Sequence, residues 1–263
     1  WVALKRDQKS KFIIGQHGGG LNKFNSGYFL EKELSDIHLV HGSANSRDFK
    51  TRNIGMFFFR FKVNKWNPKG PALMVNGAMS RYLSDFRSMS TSTQMLDYFK
   101  LQFLFYSLLD KEIQNKMRIR IYGKGDRNWK QAQRWSEKYP KAKIDHCKNN
   151  LEKEVLNSRI IITTYNATAF LEPLAANIPT IIFWDNKNYS YPKYCKYDFK
   201  KLEKAKIFYS SPNDAAKFLN FIWNDIEEWW SGEKLQKIRK EFCLKYANFD
   251  NKIPFRISNV LKE

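Results

Sequence analysis

Apolar residues in this chain gather in short runs closed by polar or glycine-rich turns, with longer stretches of helical spacing between them. Lys11-Phe12-Ile13-Ile14 leads into Gly15-Gln16-His17-Gly18-Gly19-Gly20, residues 28–34 space their apolar positions as a helix does, and 37–40 form a second run. The chain therefore begins as strand, glycine loop, helix, strand. Residues 42–53 are polar and aperiodic, which reads as a loop or interdomain linker. Beyond Ile54, strand-like runs at 72–75, 118–122, 143–146, 160–164 and 180–184 alternate with helical spacings at 95–109, 129–138, 151–156 and 170–176. That alternation predicts an α/β fold built of βαβ units around a Rossmann-type parallel sheet, with helices on both faces. Two closing helices, 215–230 and 234–247, are expected to pack across the outside of that sheet.

Composition narrows the picture modestly. The 263 residues, 43% hydrophobic and 16% aromatic, suffice for at most two compact domains. No run of eighteen apolar residues occurs, and the start has neither Met nor a signal-peptide layout, so a cytoplasmic segment missing its upstream part is expected. Cys147, Cys195 and Cys243 are odd in number and form no CxxC pair, which argues against a disulfide framework or a structural zinc. The net charge of +20 would attract nucleotides, anionic lipid head groups or nucleic acid. A coding bias toward surface lysine would leave the same excess, so charge alone selects no partner.

The most informative segment runs from Ser158 through Phe183. A buried strand that delivers Thr163, Thr164, Asn166 and Thr168 into a helix N-terminus would bring hydroxyls, backbone N–H groups and a partial positive charge to one place, as a nucleotide phosphate requires. Pro173 is most easily accommodated if the helix begins near Thr168 or Ala169, and Asn177 stands where a left-handed residue would end it. Glu172 offers several acceptor sites for ribose or sugar hydroxyls. An ordinary βαβ turn with threonine caps would share most of this pattern.

Residues 15–20 follow a strand at the place where open parallel sheets put their ligands, and Gly18 and Gly19 permit close backbone approach. His17 in that loop is a candidate general base or phosphate partner, because imidazole titrates near working pH. Glu33 and Asp36, three residues apart, are added as candidate catalytic carboxylates against the alternative of a solvated acidic face. Asn76-Gly77 and Gly123-Lys124 follow further strands and suit a diphosphate or base; neither loop is a Walker A or GxGxxG sequence. His38, His41 and His146 lack metal-ligand spacing, and no Asp-x-Asp pair is present, so neither a metal nor a bound cofactor is expected.

Taken together, Gly15-Gln16-His17-Gly18-Gly19, Glu33-Leu34-Ser35-Asp36, Thr164-Tyr165-Asn166 and the stretch from Leu171 to Asp185 resemble the O-antigen transferases of bacterial surface-polysaccharide clusters. The likeness continues through Ser210-Ser211-Pro212 and Trp229-Trp230 to the last helices. More broadly, Glu172-Pro173-Leu174-Ala175 to Pro179 is similar to the donor-site helix of GT-B glycosyltransferases, with Asn177 where glycine is commoner. The resemblance implies a GT-B-like fold in which residues 1–46 are the final βαβ portion of an acceptor-side domain and 47–263 form the nucleotide-sugar donor domain. It also implies metal-independent transfer of a sugar from a nucleotide donor to a lipid-linked or oligosaccharide acceptor, in the cytoplasm and in peripheral contact with anionic membrane. Glu172 would meet donor ribose or sugar, and Thr163 and Thr164 the phosphates. The Gln16-His17-Gly18-Gly19 loop is similar also to loops of teichoic-acid polyol-phosphate polymerases and Kdo transferases, so the donor base stays open and polyol-phosphate transfer is an alternative. A noncatalytic basic module on membrane or nucleic acid is a second alternative; the chain shows no nucleic-acid-binding motif.

Overall fold

The computed structural model describes residues 1–18, 26–43, 49–56, 63–77, 81, 92–121, 129–187 and 189–263. Its first part holds α1 (Val2–Asp7), β1 (Ile13–Gly15), α2 (Ser26–Leu34), β2 (Ile37–Val40) and β3 (Thr51–Asn53), with the three strands parallel in the order β1-β2-β3. The second part continues β4 (Ala72–Val75), α3 (Ser92–Ser107), α4 (Lys111–Lys116), β5 (Met117–Arg120), α5 (Gln131–Lys138), β6 (Lys143–Asp145), α6 (Leu151–Leu156), β7 (Ile160–Thr163), α7 (Thr168–Ala175) and β8 (Thr180–Phe183). It closes with α8 (Lys196–Lys204), β9 (Phe208–Tyr209), α9 (Pro212–Ile222), α10 (Ile226–Ser231), α11 (Glu233–Tyr246) and α12 (Ile253–Val260). The chain thus adopts the expected α/β class with parallel sheets.

The central strands β4, β7 and β8 are buried along their whole length, which explains why they read as unbroken apolar runs rather than alternating ones. The six strands lie in the order β6-β5-β4-β7-β8-β9 and are all parallel. Chain order therefore reverses between β4 and β7, and connections leave this point toward opposite faces of the sheet, opening a crevice beyond the strand ends. Apolar layers cover both faces: Phe170, Trp184, Phe199 and Phe242 belong to one, and Phe105, Trp135, Leu219 and Trp223 to the other.

Three expectations change. The closing stretch 215–230 is two helices: α9 is capped by the Ser211 side chain and ends at Ile222, after which Trp223 turns into the core. The last helix, α12, packs on the first sheet instead of the second; its Val260 joins Ile37 and Ile54, and Arg256 Nη1 donates to the Ile54 carbonyl at 3.0 Å. A boundary after residue 46 would cut the first sheet, because β3 pairs with β2 and its Arg52 binds Glu263 beyond α12. The first sheet is completed by both ends of the chain. It is joined to α11 by backbone: Asn248 N–H donates to the His41 carbonyl at 2.9 Å, and Met56 N–H to that of Asn248 at 2.7 Å.

Candidate functional site at the facing strand ends

The crevice between β4 and β7 is floored by a compact polar clamp. Gly77 N–H donates to Tyr98 Oη at 2.6 Å, and that hydroxyl lies 2.6 Å from Thr164 Oγ1. Thr164 Oγ1 in turn donates to the Val75 carbonyl at 3.1 Å, so the Thr164 proton is spent there and Tyr98 is the donor in the phenol–threonine bond. One side chain from α3 thereby ties the end of β4 to the end of β7. Burial holds the Tyr98 pKa well above its ordinary value, so the phenol keeps its proton. Gln131 Nε2 adds a bond to the Gly77 carbonyl at 3.1 Å. A Cβ at Gly77 would stand 2.9 Å from Cγ of Tyr165, which accounts for glycine at that position. Beside it, Asn76 is only 2% exposed, yet neither atom of its amide has a hydrogen-bond partner. An unmatched buried amide costs about 1–3 kcal/mol and is rare without a reason.

The N-terminus of α7 is the second component. Its N-cap, Ala167, carries no side-chain acceptor, whereas Asn150 caps α6 and Ser211 caps α9 through their side chains. The N-cap residue of α7 thus supplies no side-chain bond to the positive end of the helix, and residues 165–168 are partly exposed above it. Asn166 Nδ2 reaches the Ser190 carbonyl at 3.5 Å, which ties this turn to the loop after β8. Asn177 ends the helix region with a left-handed φ of 58°, and Trp230 Nε1 donates to its side chain at 3.0 Å.

The third component comes from the other sheet. Gln16 fixes the loop after β1: its Nε2 donates to the Gly18 carbonyl at 3.2 Å and its Oε1 accepts from His41 N–H at 3.1 Å. Gly18 has a φ of +68°, and a Cβ there would lie 3.4 Å from Thr168 Oγ1. The C-terminal ends of β1 and β7 therefore face one another, with the exposed imidazole of His17 next to the point of approach.

Of the expected site residues, His17, Gly18, Asn76, Gly77, Asn166 and Thr168 border this crevice, and Glu172 follows on the second turn of α7, half-buried. Gly19, Gly123 and Lys124 lie outside the described residues. Thr164 is corrected: its buried hydroxyl is engaged in the clamp and does not reach a ligand, whereas the Thr163 hydroxyl is buried beside it without a hydrogen-bond partner. Asp36 is corrected too. It stands at the opposite, N-terminal end of β2, where its carboxylate accepts from Phe12 N–H at 2.7 Å and binds Arg6 at 2.8 Å. Glu33 is exposed at the end of α2 on that same side, and neither acid meets His17. Tyr98 and Gln131 were not anticipated, since in sequence each sits within an ordinary helical pattern that carries no mark of a partner; Gln16 lies in the singled-out glycine loop, but its role in fixing that loop was not.

A family model for the LIC12162 family transferases matches residues 1–257. The chain belongs to this family. Group transfer is accordingly its reaction class. No curated protein matches the chain in sequence. Among solved structures, a variant of the wall teichoic acid polymerase TagF soaked with CDPG aligns over 97% of this chain and 67% of its own, at 13% identity and a TM-score of 0.49. The same TagF variant without the soak aligns over 97% and 70% at 14% identity with the same score of 0.49. CalG4, the calicheamicin glycosyltransferase, aligns over 90% and 54% at 11% identity with a TM-score of 0.44. The chain spans about two thirds of the TagF chain's length, and likeness at this level says nothing about substrate. Among the described residues, no helix is long and apolar enough to cross a membrane.

Proposed function

We propose that this chain is the donor-binding part of a GT-B-type glycosyltransferase that moves a sugar from a nucleotide donor to a surface-polysaccharide acceptor, lipid-linked or oligosaccharide. The observation that carries the reading is the approach of Gly18 to Thr168 at the N-terminal end of α7, where loops from two parallel sheets face each other. In this reading the donor phosphates lie over residues 165–168 against the α7 N–H groups, with Asn76 and Gly77 beneath them. The unmatched Asn76 amide would find its partners in the bound donor. The acceptor oxygen attacks the anomeric carbon, the bond from that carbon to phosphate oxygen breaks, and His17 takes the acceptor proton. The α7 dipole and the chain's positive field offset the charge left on the nucleotide, so the proposed step needs no metal. Work on a lipid-linked acceptor would place the protein in the cytoplasm, at the anionic inner face of the membrane.

Calorimetric titration of CMP, CDP, UDP, GDP and dTDP into wild type and Asn76→Ala tests the donor site. One nucleotide should bind saturably, and Asn76→Ala should weaken it about tenfold or more, the worth of one or two buried hydrogen bonds. Since the Asn76 amide makes no bond in the free protein, its removal relieves a buried unmatched group and the melting temperature should not fall. Silence across the nucleotides, together with tight binding to anionic vesicles or nucleic acid, would favour a noncatalytic basic module instead.

A further inference from the structure

At the N-terminal edge of the second sheet, opposite the crevice, residues 63–71 form a strap across the starts of β7 and β8. It is pinned at three points: Asn64 N–H donates to the Ala176 carbonyl at 2.7 Å, Asn67 N–H to that of Ser158 at 3.2 Å, and Asn177 Nδ2 to Asn64 Oδ1 at 2.6 Å. Trp66, on this strap, packs against the core layer of Leu73, Ile161 and Ile178 and also lines a groove whose facing wall is α10. The groove lies open between Trp66, Arg159 and residues 225–228, and adjoins a lobe that reaches Gln236.

The chemistry of this groove differs from the rest of a strongly basic chain. Arg159 lies with its guanidinium 4.3 Å over the Trp223 ring, forms no salt bridge among the described residues, and is half-buried. Glu227 and Glu228 present exposed carboxylates opposite it. A planar five-donor group, the carboxylates of Asp225, Glu227 and Glu228, and an indole side chain around a preformed cleft match the alternating hydroxyls and C–H faces of a sugar chain. Other occupants fit less well. The acids do not converge into a metal site among the described residues, the strands beneath are interior ones that offer no free edge to a peptide, and local negative charge opposes nucleic acid and anionic lipid.

We propose that the Trp66–Arg159–Glu228 groove is a second saccharide-binding site, holding a stretch of the polysaccharide acceptor away from the transfer crevice. Naming the ligand as the acceptor rests on the glycosyltransferase reading above. Such a site raises the effective concentration of a long acceptor without taking part in transfer.

The test is binding of the intact chain, with no nucleotide present, to an array of defined hexose, deoxyhexose and N-acetylhexosamine oligosaccharides, followed by titration of the best binder. Wild type should retain at least one oligosaccharide, and Arg159→Lys and the double variant Glu227→Gln/Glu228→Gln should each weaken it about tenfold. Both carboxylates are exposed, so the double variant should melt with wild type and its loss of binding cannot be ascribed to unfolding. If no oligosaccharide is retained, or retention ignores all these substitutions, the groove is not a saccharide site. Nucleotide binding without glycan retention would overturn the groove alone; glycan retention without nucleotide binding would overturn the donor-site reading and leave the groove standing.

Discussion

Tyr98→Phe removes one oxygen from the clamp at the strand ends and nothing else. Phenylalanine keeps the ring contacts with Phe99 and Tyr189, at centroid distances of 6.0 and 5.9 Å, so the packing loss is small. Gly77 N–H is then buried without an acceptor, at about 1–3 kcal/mol, and the bond to Thr164 disappears, at about 0.5–1.5 kcal/mol. The sum, about 1.5–4.5 kcal/mol, corresponds to a fall in melting temperature of about 3–18 °C for a chain of this size. Urea and thermal denaturation followed by circular dichroism would measure both. Thr164→Val breaks the same chain of bonds from its other end, so the double variant should cost less than the two single changes together, by about 1 kcal/mol or more. A Tyr98→Phe loss under about 0.5 kcal/mol, or strict additivity with Thr164→Val, would refute the clamp.

Other expectations are independent of it. His41 is buried, and desolvation followed by repulsion from His38 lowers its pKa to about 4, while the unfolded chain takes up that proton near 6.5. The native state therefore binds fewer protons between these values, and stability is full above pH 6.5 and falls by about 3 kcal/mol as the pH drops to 4, with His38 acting in the same direction. Chemical denaturation across that range should show the decline, and a flat profile would contradict it. Gly42→Ala would put a Cβ 2.2 Å from the Lys245 carbonyl oxygen, a backbone atom that cannot swing aside. A loss of about 3 kcal/mol in urea denaturation is expected, and an unperturbed melt would show that this junction yields.

How far the sequence reveals this architecture depends on what each segment contacts. The strands β4, β7 and β8 are buried on both faces, so their composition alone marks them. The end of α7 is similarly legible, since a left-handed Asn before Ile178-Pro179 is a local requirement. β3 is not legible: Thr51-Arg52-Asn53 is polar because it closes one edge of a small sheet, and its partners, β2 and the distant Glu263, are set by tertiary structure. α12 hides for the same reason, its few buried residues meeting strands more than 200 positions upstream. At the site, His17 and Gly18 are suggested by glycine-rich chemistry, but Asp36 and Thr164 show the limit of residue type as a guide. Both carry suitable groups, and both spend them on the protein itself. Asn76 is the converse, a buried amide left unmatched where a ligand is proposed.

The most direct test of the central claim is product analysis with the longest natural form of this protein, a panel of nucleotide-activated sugars and polyols, a surface-polysaccharide acceptor and excess EDTA. The proposed function predicts transfer that survives the chelator, an acceptor heavier by one sugar, release of the nucleotide, and loss of turnover in His17→Ala. An acceptor heavier by a polyol phosphate, with nucleoside monophosphate released, would assign the crevice to phosphoryl transfer. Turnover unaffected by His17→Ala would remove the histidine from the chemistry, and turnover abolished by EDTA would contradict the metal-independent step.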